Sequence, residues 1–63
     1  MQTTLTPEPE GLRDARARYQ DDLAAAEEHY AAALRSLGEP AGHVEERARS
    51  HRDRAARIRR GVA

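Results

Sequence analysis

The stretch Leu34-Arg35-Ser36-Leu37-Gly38-Glu39-Pro40-Ala41-Gly42 decides the fold. Gly38 stands where a helix ends in a left-handed residue, a conformation that glycine adopts without a Cβ clash. Pro40 follows two residues later, and without an N–H it cannot continue the helix. One helix therefore ends at Leu37, and a second begins between Pro40 and His43. A connection this short makes the two neighbours antiparallel. The expected architecture is all-α: an antiparallel two-helix hairpin with a helix over 9–37, a turn over 38–42 and a helix over 43–61. A loose arm over 1–8 precedes it.

Upstream of the turn, Thr6-Pro7-Glu8-Pro9-Glu10 reads as a helix start. Proline is tolerated in a first helical turn, and acids there complement the helix dipole. Apolar residues then fall at Leu12, Ala15, Tyr19, Leu23, Ala26, Tyr30, Ala33, Leu34 and Leu37. Steps of three and four keep them on one stripe of a helix about 43 Å long at 1.5 Å per residue. Ala24, Ala25, Ala31 and Ala32 lie off that stripe. They read as helix-favouring filler that could also let a partner helix approach closely. Asp14 and Arg18 form a favourable pair four apart.

Downstream, Val44, Ala48, His51, Ala55, Ile58 and Val62 are spaced four, three, four, three, four. This is the narrow seam of a coiled coil. Glu45–Arg49 and Asp53–Arg57 are expected pairs on the polar side, and Gly61 ends the helix. In the hairpin Leu37 should lie near Val44, and the end of the second helix near Tyr19. The segment Glu10–Arg18 should then overhang, with Leu12 and Ala15 uncovered.

Sixty-three residues make one small domain, and a core this small is marginal. Two narrow seams with about ten large apolar side chains leave a lone hairpin under-packed. We therefore expect self-association, most simply a homodimer forming a four-helix bundle. Its seam would be Leu12, Tyr19, Leu23, Tyr30, Leu34, Leu37, Val44, His51 and Ile58. If His51 meets its symmetry mate there, acidification should weaken the assembly. The length and two-helix plan resemble ROP-type antiparallel four-helix bundles, though no residue motif is shared. That resemblance implies a bundle fold and a dimer and no particular function.

Composition narrows the function. The chain has no cysteine, so no disulfide, thiolate metal site or thiol nucleophile can form. No glycine-rich phosphate loop is present, Ser36 and Ser50 lie in no strained turn, and the carboxylates are scattered. We expect neither an enzyme nor a cofactor. His29, His43 and His51 lack the three- or four-residue spacing of a helical metal site, so no metal is expected. No apolar run approaches the ~20 residues of a membrane span. Met1–Thr6 has no basic region followed by an apolar core, so no signal peptide is expected, and the expected location is cytoplasmic. All eleven basic residues are arginine and thirteen residues are alanine, which suggests a GC-rich genome, and the expected source is a bacterium or its phage.

Charge divides between the halves. Residues 1–37 carry seven acids and four Arg, and residues 38–63 carry four acids and seven Arg. The simplest expectation is that the helices complement each other. Arg47 and Arg54 flank the second seam on one side, Arg52 and Arg59 on the other. Arg49, Arg57 and Arg60 face outward and are the candidate surface for a protein or nucleic-acid partner. On the first helix, Asp22 and Glu27 flank the stripe, whereas Asp14, Asp21 and Glu28 fall on its back. The intramolecular charge match is therefore imperfect. The favoured function is a small protein–protein interaction module acting as regulator, adaptor or assembly component. The alternative is a dimeric nucleic-acid-binding regulator using the Arg-rich helix.

Overall fold

A computed structural model describes residues 9–61 and contains two helices, α1 (Glu10–Ser36) and α2 (Gly42–Arg60), packed against each other as a hairpin. The 1–8 arm, Met1, Leu5 and Val62 lie outside the described residues. Pro9 is the N-cap of α1 with extended ψ of 142°, and its carbonyl accepts from the Arg13 N–H at 3.0 Å. Proline serves here because an N-cap N–H has no intrahelical partner to lose.

The turn satisfies the open carbonyls of α1 in the way its glycine implies. Gly38 has φ of 74°. The Glu39 N–H donates to the Leu34 carbonyl at 2.8 Å, and the Gly38 N–H to that of Arg35 at 3.0 Å. These nested bonds form a Schellman motif. The carbonyl of Ala41 then accepts from Val44 and Glu45, starting α2. At the far end Gly61 closes α2 with φ of 80°.

The packing face of α2 is the expected one. Val44, Ala48, Ala55 and Ile58 are buried and His51 is half-buried. The packing face of α1 is not. The residues buried against α2 are Ala17, Ala24 and Ala31, each seven apart, while Leu12, Tyr19, Tyr30 and Leu37 are exposed. Of the residues expected in the α1 seam, only Leu23 and Leu34 are half-buried. With 3.6 residues per turn, the alanine face lies about 120° around the helix from the Leu/Tyr stripe. Alanine lets two helix backbones come close, and small residues at the contact set the shorter interaxial distances.

The overhang is also shorter than expected. Ala17 packs with Ala55 and Ile58, and a Cβ built on Gly61 would lie 4.0 Å from Arg13 Nη1. The α2 helix therefore ends near Arg13 rather than near Tyr19, and only the first turn of α1 projects beyond it. Leu12 lies in that projecting turn, whereas Ala15 is uncovered because of the face it occupies.

Candidate functional site

Rotating α1 onto its alanine face reorganises the charges. Asp21 and Glu28, expected on the back, become the flank next to α2. Arg52 donates through Nε and Nη2 to the two oxygens of Glu28 at 3.1 and 2.8 Å, and through Nη1 to Asp21 at 3.2 Å. Arg59 Nη2 lies 2.8 Å from the other Asp21 oxygen. Arg35 pairs with Glu45 at the turn end of the same edge. Glu45 thus reaches α1 instead of its expected partner Arg49, and no Asp53–Arg57 pair forms. The Asp14–Arg18 pair is present at 3.0 Å.

This ladder shifts its own ionisations. The Arg59 hydrogen bond holds Asp21 below its ordinary 3.8, assisted by Arg52. The Arg52 hydrogen bonds hold Glu28 below its ordinary 4.5 and raise Arg52 in turn. All three groups meet solvent, so the ladder orients the helices more than it stabilises them.

The opposite edge is partly buried. Arg47 Nε donates to Glu27 Oε2 at 2.7 Å. His51 Nδ1 lies 2.7 Å from Gln20 Oε1, and its Nε2 lies 3.3 Å from Glu27 Oε1. That Glu27 oxygen is buried and accepts no hydrogen bond. A neutral imidazole carries one N–H, so it can donate to one of these two neighbours at a time. The His51 ring is thus occupied by α1 of its own chain.

Beyond this edge lies an exposed apolar face of α1. Leu12, Tyr19, Tyr30 and Leu37 are 52%, 61%, 54% and 76% exposed. Ala26 and Ala33 are exposed between them, and Leu23 is half-buried at the margin. Beside Tyr19 a groove of about 450 Å³ is lined by Ala15, Arg16, Arg54, Arg57 and Ile58.

Comparison with family models, with curated proteins and with solved structures returned no match. The geometry of the hairpin therefore carries the functional reading.

Arg49, Arg57 and Arg60 are exposed, and Arg49 and Arg57 lie on different edges. Arg57 lines the groove beside Tyr19, whereas Arg49 lies on the other edge with Glu28, Arg35 and Glu45. Glu46 and Asp53 are exposed between them on the outer side of α2. Of the other four α2 arginines, Arg47, Arg52 and Arg59 are drawn into ion pairs with α1, and Arg54 lines the groove beside Tyr19. His29 and His43 are exposed, and no three metal-ligating side chains come together among the described residues. No described helix is long and apolar enough to cross a membrane.

Sequence reasoning named Ala24 and Ala31 as a possible close-approach surface but did not make them, with Ala17, the face that packs on α2. Two signals for it were available. Ala17, Ala24 and Ala31 recur every seven residues, as do the pairs Asp21/Glu28 and Arg52/Arg59. Two acids and two arginines at matching spacing on antiparallel helices define the edge along which those helices touch.

Proposed function

We propose that this protein is a small, non-enzymatic helical interaction module that self-associates through the Leu/Tyr face of α1. It would serve as a regulator, adaptor or assembly component. One observation carries this reading: the hairpin encloses mostly alanine and leaves its two tyrosines and two of its leucines in solvent. The exposed area of those four side chains is on the order of 400 Å², given that a whole aromatic side chain offers about 150–250 Å². That lies within the range of the largest apolar patch on a typical monomer, which is often functional.

A nucleic-acid role has less support. Phosphate binding calls for cations gathered along one face, and here Arg49 and Arg57 lie on different edges with acids between them. Its test is titration with duplex DNA and RNA at low salt. Binding that weakens as salt rises, and is lost when Arg49, Arg57 and Arg60 are reversed in charge, would favour that role. Self-association is tested by solution mass, with a dimer expected at micromolar concentration and a monomer contradicting it.

A further inference from the structure

Resting on the proposed self-association, we infer that the second copy docks antiparallel on α1, with Tyr30 of each copy filling the groove beside Tyr19 of the other. The exposed face runs as a heptad seam: Leu12, Arg16, Tyr19, Leu23, Ala26, Tyr30, Ala33 and Leu37. About the midpoint between Leu23 and Ala26, the leucines at 12 and 37 and the tyrosines at 19 and 30 stand in matching places. When two such seams run in opposite directions across a twofold axis at that midpoint, Leu12 meets Leu37 of the second copy. Tyr19 then meets Tyr30, Leu23 meets Ala26, and Arg16 meets Ala33. Each layer pairs like with like or large with small, the condition for interdigitation without voids. Ala33 leaves room for the aliphatic stem of Arg16 to cross the seam with its guanidinium at the rim.

The groove provides a second observation. It spans the level of Ala15 to Gln20 on α1, and the same register brings Tyr30 of the second copy to that level. A tyrosine ring there would lie among Ile58, Tyr19, Arg54 and Arg57, neighbours that suit an aromatic ring.

Flanking charges select the direction. In the antiparallel pair, the exposed Asp22 faces the exposed His29 of the second copy, Gln20 faces Glu27, and Arg13 faces Leu34. No like charges meet. In a parallel, in-register pair Arg16 would face Arg16 inside the seam, and Asp22 would face Glu27. Ala26 and Ala33 would also face their own mates across empty space. Charge and volume therefore both oppose the parallel arrangement.

The test uses two cysteine variants of the full chain, Leu12→Cys and Leu37→Cys, both at exposed positions, with helicity checked by circular dichroism. Mixed one to one and treated with a short thiol crosslinker, they should yield a crosslinked L12C–L37C pair. Each variant alone, although dimeric by sedimentation, should stay uncrosslinked. Efficient crosslinking of L12C to itself would overturn the antiparallel direction while leaving self-association intact. A persistent dimer in which the mixture does not crosslink would overturn the register. A monomeric wild type would overturn self-association with it. Independently, Tyr30→Ala should weaken the dimer by about thirtyfold, the loss typical of a central aromatic anchor, and Tyr30→Phe should preserve it. Equal weakening by both variants would contradict the buried-ring role.

Discussion

The two faces of α1 differ in what they bury and in how they are recognised. One carries Ala17, Ala24 and Ala31, is sealed against α2 in the same chain and is edged by Asp21 and Glu28. The other carries Leu12, Tyr19, Leu23, Tyr30 and Leu37 and stands largely in solvent. Apolar bulk therefore does not mark the intramolecular seam here. Closeness of approach and charge register choose the hairpin face, and the bulky face is left for a surface outside the chain. A hairpin closed mainly by alanine gains little from burial, because the hydrophobic contribution scales with the apolar area removed from water. Covering the second face would supply most of what the first lacks.

Breaking the bulky face should have the largest effect. The double variant Tyr19→Glu/Tyr30→Glu removes two aromatic anchors and places carboxylates along the seam. It should weaken association by roughly 4 kcal/mol or more, read by sedimentation equilibrium. Next is the alanine face. Ala24→Leu forces a large side chain into a closed contact and should destabilise the hairpin by about 1–3 kcal/mol. Ala25→Leu, one position away and exposed, should change stability by less than about 0.5 kcal/mol. Urea titration of the two variants reads the difference, and equal effects would mean that the alanine face is not the contact.

Gly38→Ala should cost about 1–2 kcal/mol in the same titration, since alanine at a positive φ meets the left-handed penalty. The edge ladder should give the smallest effect. Asp21 and Glu28 are held below their ordinary 3.8 and 4.5. Their contribution is thus fully present above those values and is lost as pH falls through the depressed folded-state values. Thermal unfolding between pH 6 and pH 2 should show this decline. Arg52→Gln, which removes the donor to Glu28 and leaves Arg59 on Asp21, should reduce it.

Much of the fold was legible in the sequence. Gly38 and Pro40 placed the turn, and the spacing from Val44 to Ile58 gave the buried face of α2, because a seam of one residue type per turn has a single solution. The α1 helix carries two stripes that both satisfy helical periodicity, and periodicity cannot rank them. Ranking by side-chain size chose the Leu/Tyr stripe. The hairpin uses the other, and the Asp21/Glu28 and Arg52/Arg59 spacings held the information that distinguishes them. The overhang was overestimated for a related reason. The close alanine contact runs down to Ala17, and α2 extends along it to Arg13. The candidate site was legible as a list of residues, but its exposure followed only once α2 had been placed on the opposite stripe.

Sedimentation equilibrium of the wild-type chain across micromolar concentrations tests most directly whether the Leu/Tyr face is covered by a second copy. A helical species with twice the mass of the 7.0 kDa chain, reduced to the single-chain mass by Tyr19→Glu/Tyr30→Glu, is the expected result. A folded 7.0 kDa species at every concentration, unchanged by that substitution, would contradict the account.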